Sequence, residues 1–149
     1  QFEKAFEKRG GKVIWAKDAK EAAKKIADVL TFHNVKMLVK SKSMVTEEIE
    51  LNEHLEKTGI KAIETDLGEF IVQVAGEKPY HIVTPAMHKS KEDVAQLFHE
   101  HFGTAENSKP EELTQFAREY LRKKYITAGA GITGANFLIG SGRAFLLQI

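Results

Sequence analysis

Cysteine is absent from the chain. Disulfides, a thiol nucleophile and cysteine ligation of zinc or of an iron–sulfur cluster are therefore excluded within these residues. Charge of one sign is not in excess either: Lys plus Arg total 22 and Asp plus Glu total 21, for a formal net charge of +1. So even a balance gives no electrostatic case for nucleic acid or an anionic membrane surface. No apolar run approaches the roughly 20 residues needed to span a bilayer. The opening QFEKAFEKRGG is charged throughout and lacks the apolar core of a secretory signal, so a cytoplasmic location is expected.

What is present suits one ordinary globular domain: 149 residues, 42% of them hydrophobic and 29% charged. Residues 1–9 read as the end of a helix, with Phe2, Ala5 and Phe6 at helical spacing. The final run, 144–149, reads as an apolar strand with no polar tail. Both ends thus suggest a piece of a longer protein.

Between them the hydrophobic period alternates. Residues 12–16 read as a short strand. Asp18 is placed to cap a helix, with Glu21 at capping-box spacing, and Ala19, Ala22, Ala23, Ile26, Ala27 and Leu30 carry it to about Phe32. Residues 35–40 form the next expected strand. Thr46 is the expected cap of a second helix running to about Lys57, ended by a left-handed Gly59, and 60–64 form a third strand. Strand, helix, strand, helix, strand is the pattern of a parallel α/β sheet. The rhythm then changes: 69–75 and 81–84 read as strands with no helix between them. Ser90 opens a helix with Val94, Leu97 and Phe98 that closes near Gly103. Pro110 opens another, striped by Leu113, Phe116, Ala117, Tyr120 and Leu121 and closed by Arg122, Lys123 and Lys124.

Candidate chemistry gathers where strands end, since ligands of open parallel sheets sit at their carboxyl ends. The loop SKSM at 41–44 offers hydroxyls, an ammonium and backbone N–H groups for a carboxylate or phosphate, although serines that merely cap the turn fit as well. ETDLGE at 64–69 clusters Glu64, Asp66 and Glu69 with Thr65. Such acids can raise one another's pKa values for proton transfer, or can be plain turn residues beside Gly68. Glu69 is the sharper candidate because it opens an expected apolar strand, where a carboxylate is less usual. TPAMH at 84–88 ends in His88, read as the one histidine near such a mouth and able to act as acid, base or ligand; a partly exposed histidine before a helix is the plainer account. GAGITGAN at 129–136 has dinucleotide-like glycine spacing, but the expected helix and later acid do not follow. A small-residue turn allowing close backbone approach explains it better. His99 and His101, two apart on a helix, face different ways, and no metal site is expected.

The run VKSKSMVTEEIELNEHLEKTGIKAIETDLGEFIVQVAGEKPYHIVTPAMHKSKEDVAQLF and its continuation EELTQFAREYLRKKYITAGAGITGANF closely resemble the lactate-utilisation domain family, in particular its B-type iron–sulfur members. The resemblance covers nearly the whole chain and implies a Rossmann-like fold, similar to the sugar-phosphate isomerase and CoA-transferase type. It implies one lactate-utilisation domain over residues 1–149, in a multiprotein system that oxidises L-lactate to pyruvate with other lactate-utilisation proteins. Two 4Fe–4S clusters would belong to a downstream module of the full-length protein, with no cofactor in this chain. Family blocks fall on Lys42, Ser43, Met44, Thr46 and Glu47, on Glu64, Thr65, Asp66, Gly68 and Glu69, on Pro85 and His88, and on Gly131, Thr133, Gly134 and Asn136. They are carried over as candidate ligand-site residues, with Glu69 and His88 the candidate catalytic groups. One departure stands out: after Phe137 the family continues through an acidic-Thr-Gly turn, whereas this chain reads Ile139-Gly140-Ser141-Gly142-Arg143.

Two functions are therefore expected in order. The first is a domain that binds a small hydroxy or keto acid and docks within a lactate-oxidising complex. The second is a stand-alone isomerase- or acyl-transferase-like enzyme using Glu69. Because 144–149 is apolar, self-association, at least to a homodimer, is also expected.

Overall fold

Capping and turn signals govern the first half of the chain. The computed structural model describes residues 1–135 together with Phe137 and Leu138. Asn136, the departing segment 139–143 and the expected strand 144–149 lie outside the described residues. A short helix α1 (Phe2–Glu7) comes first. Helix α2 (Ala19–Phe32) begins where Asp18 accepts a hydrogen bond from the Glu21 backbone N–H, as its spacing requires. Residues 12–16, expected as a strand, instead run without regular structure, and Trp15 is exposed there. Among the described residues no strand pairs with that run, so none supplies the backbone partners that a strand needs.

Strand β1 (Met37–Lys40) is followed by α3 (Met44–Glu48) and α4 (Leu51–Lys57), then β2 (Lys61–Glu64). The expected single helix is thus two. Glu50 takes a left-handed conformation, φ 49°, and interrupts it. The cap is Ser43, whose side chain accepts from the Thr46 N–H, rather than Thr46 itself. Gly59 adopts φ +76° at the end of α4, as expected.

The larger correction follows β2. Residues 69–75, expected as a strand, belong to helix α5 (Leu67–Ala75), capped by Asp66 and closed by a left-handed Gly76. An unbroken apolar run is equally compatible with a buried helix, and here Phe70, Ile71 and Val72 are all buried. Residues 81–84, also expected as a strand, lie in a loop, with bends at 81–83. Helices α6 (Lys91–Phe102) and α7 (Pro110–Thr127) follow as expected, the first capped by Ser90 in a reciprocal pairing with Asp93. The Gly-rich stretch, expected as a turn, contributes β3 (Ala130–Ile132).

The described strands form one all-parallel sheet in the order β2–β1–β3. Alternation along the strands sends Leu38 and Ala62 to one face, packed with Ala23, Ala27 and Leu30 of α2 and Leu51 and Leu55 of α4. Met37 and Ile63 face the other way, onto Phe70 of α5, Phe98 of α6 and Leu113, Ala117 and Leu121 of α7. Phe70 and Phe98 meet edge-on at 5.8 Å between centroids within this second layer. Helices on both faces of a parallel sheet make a Rossmann-like α/β fold.

Candidate functional site at the carboxyl ends of the strands

The chain leaves β1 toward one face of the sheet and leaves β2 toward the other, since α4 packs with the first apolar cluster and α5 with the second. Connections that diverge in this way open a crevice between neighbouring strand ends. The last residues of β1 and β2 are Lys40 and Glu64, and they pair in register.

Lys40 is fully buried. Its ammonium lies 2.6 Å from Glu47 Oε1 and 2.9 Å from Glu64 Oε1, and donates to the Thr46 hydroxyl at 3.1 Å. Burial opposes its charge, but hydrogen bonds and charges from Glu47 and Glu64 outweigh it and raise its pKa. Burial likewise pushes the Glu64 carboxyl upward, against the pull of Asn52 and Lys40. Asn52 Nδ2 donates to Glu64 Oε1 at 2.6 Å. Lys40 is the residue that sequence reading missed. Its signal was available: an apolar strand ending in lysine, beside another ending in glutamate.

Above this pair sits a second one. Glu69, in the first turn of α5, is only 4% exposed and lies 3.4 Å from the Lys42 ammonium. Burial raises its pKa first and the neighbouring Glu47 charge adds to the rise, while Lys42 opposes it. Lys42, Ser43, Met44, Glu47 and Glu69 line a cleft of about 290 Å³ together with Lys78, Tyr80, His81 and Ile82. A neighbouring cleft of about 350 Å³ shares Glu47 and Glu69 and reaches Thr46, Asn52 and Glu64.

The other expected residues support this mouth rather than line the smaller cleft. Thr65 donates both its N–H and its hydroxyl to the Lys40 carbonyl. Asp66 caps α5. Gly68 lies under Pro85, where a Cβ would come within 2.8 Å of the proline ring. Gly131 pairs with Val39 across β1 and β3. Thr133 and Ser41 hydroxyls meet at 3.0 Å, and Gly134 packs so closely on Ser43 that a Cβ would stand 2.9 Å from its hydroxyl. Asn136 lies outside the described residues. His88 pairs with Glu77 at 2.7 Å and stacks near Tyr80, which fastens the loop rather than reaching Glu69. His81 is the histidine that lines the cleft, so His88 is not the one histidine near a mouth.

Among the described residues, no group of three or more His, Asp or Glu is placed to hold a metal ion. No described helix is long and apolar enough to cross a membrane. The LUD domain profile matches residues 1–147. The chain is 48% identical over 147 residues to lactate utilization protein B of Oceanobacillus iheyensis, a match covering 99% of this chain and 31% of that protein. It is 54% identical over 133 residues to the protein of the same name from Bacillus subtilis, covering 89% and 28%. For Lysinibacillus sphaericus the figures are 51% over 141 residues, covering 94% and 30%. The chain therefore spans under a third of the length of these relatives. No solved structure matches it. A profile match across nearly every residue, together with relatives near half identity, means that this chain belongs to the LUD domain family.

Proposed function

We propose that this domain serves lactate utilisation by binding a small 2-hydroxy or 2-keto acid in the cleft between Lys42, Glu69 and residues 78–82, within a complex that oxidises L-lactate to pyruvate. The observation that carries the reading is the Lys42–Glu69 pair: a buried carboxyl of raised pKa, 3.4 Å from a partly exposed ammonium, at a strand-end crevice. Lys42 supplies the cation that meets the acid's carboxylate. Glu69, held toward its protonated form, is suited to give or take the proton at the C2 oxygen. The names of the relatives support the substrate class. The two 4Fe–4S clusters expected of the full-length protein find no ligand set here, because the chain has no cysteine. Residues elsewhere in a longer protein would hold them, and the other lactate-utilisation proteins would be its partners.

One charge-assisted contact in a partly open cleft contributes about 1.5–3 kcal/mol, so binding in the millimolar range is expected. Calorimetric or NMR titration of L-lactate and pyruvate tests the reading, with Lys42→Ala expected to weaken binding about tenfold or more. Affinity unaltered by Lys42→Ala would remove this cleft from the function.

A further inference from the structure

His81 lines the same cleft as Lys42 and Glu69, and its own backbone holds the ring. Nδ1 lies 3.1 Å from the Val83 nitrogen and 3.4 Å from the Thr84 nitrogen, with the Thr84 hydroxyl at 3.3 Å. A backbone N–H only donates, so Nδ1 must present its lone pair, and the ring proton of the neutral imidazole sits on Nε2. The same geometry lets Asn and Asp close a turn onto the N–H two residues ahead.

The loop that carries His81 is itself fastened at several points. Pro85 is buried against Gly68, and the Tyr80 N–H donates to the Pro85 carbonyl. Glu77 binds His88 and Lys89, each at 2.7 Å, and Lys42 reaches the Val83 carbonyl at 3.4 Å. A ring fixed at Nδ1, on a loop fixed at both ends, presents Nε2–H as a preorganised donor. Lys42 and Glu69 supply a cation and a carboxyl to the same space, and a small acid needs a third contact to be oriented.

We propose that His81 donates a hydrogen bond from Nε2 to the C2 oxygen of the acid held in this cleft. This rests on the small-acid reading above and adds to it the residue that orients the reacting carbon. A neutral donor of this kind serves a carbonyl and a hydroxyl oxygen alike, which suits a site handling a hydroxy acid and its keto counterpart.

Two substitutions separate the donor from the turn. His81→Asn keeps an acceptor for the Val83 N–H but lacks a donor at the Nε2 position. His81→Gln places an amide N–H near that position and gives up the turn acceptor. Long-range proton–nitrogen NMR of the full chain should show the Nε2–H tautomer for the neutral ring. Pyruvate titration should show His81→Asn weakened about tenfold with its thermal midpoint kept, and His81→Gln closer to the unsubstituted chain. An Nδ1–H tautomer, full-affinity binding by His81→Asn, or weaker binding by Gln than by Asn would each overturn the proposal while leaving the small-acid reading in place. If the unsubstituted chain binds neither pyruvate nor L-lactate, the small-acid reading itself fails and the contact with it.

Discussion

A lysine without solvent contact is a costly residue, and at Lys40 the cost is offset only because two carboxylates and a hydroxyl surround the ammonium. Removing one member of such a group strands the others. Lys40→Met should therefore destabilise the fold by about 3–5 kcal/mol, read as a lower urea midpoint. Adding Glu64→Gln to that variant should recover part of the loss, because the stranded charge is then gone. The double-mutant cycle gives the coupling directly. A loss below about 1 kcal/mol for Lys40→Met would show that the pair behaves as a surface ion pair despite its burial.

At the scale of elements, the site depends on the fit between α5 and the loop over it. Gly68 stands in the first turn of α5, and a methyl there would approach the Pro85 ring to 2.8 Å at Cγ and 3.1 Å at Cδ. Helix propensity alone favours alanine over glycine by up to about 1 kcal/mol. Overpacking typically costs about 1–3 kcal/mol, so the clash should win. Gly68→Ala is expected to lower the thermal midpoint and to make residues 78–89 more sensitive to limited proteolysis. An unchanged midpoint with unchanged protection would mean that the loop is seated by its Glu77 and Lys42 contacts alone.

For the whole molecule, Glu69 ties the site to stability. Its folded pKa lies above the ordinary 4.5, so above that pH the folded state holds this proton more tightly than the unfolded chain does. Its contribution therefore falls as pH rises from 4.5 through the folded value. Glu69→Gln removes this dependence, so the stability of the variant relative to the unsubstituted chain should rise between pH 4.5 and 7. Surface carboxylates with lowered values, Glu21, Glu77, Glu92 and Asp93, are common to both and cancel. Urea titrations across that range decide the matter: a difference that stays flat would show that burial does not oppose Glu69 ionisation.

Much of the architecture is legible in the residues themselves. Asp18, Ser90 and Pro110 mark helix starts, Gly59 and Gly103 mark ends, and the stripes of α2 and α7 name the faces they bury. These are local signals, set by backbone geometry and by side chains a few positions apart, so no tertiary information is needed to read them. The ends of β1 and β2 were legible for the same reason, although Glu69 was expected to open a strand and lies in α5. What the sequence by itself left open is whatever depends on a distant partner. The run 69–75 is apolar enough for strand or helix, and its packing onto α6 and the Asp66 cap made it α5. Lys40 looks like an ordinary strand end until β1 and β2 pair in register and set Glu64 beside it. His81 looks like one strand residue among others until the loop folds back over Lys42 and Glu69. Charges and ring orientations of that kind follow from which strand ends become neighbours, and only the tertiary structure decides that.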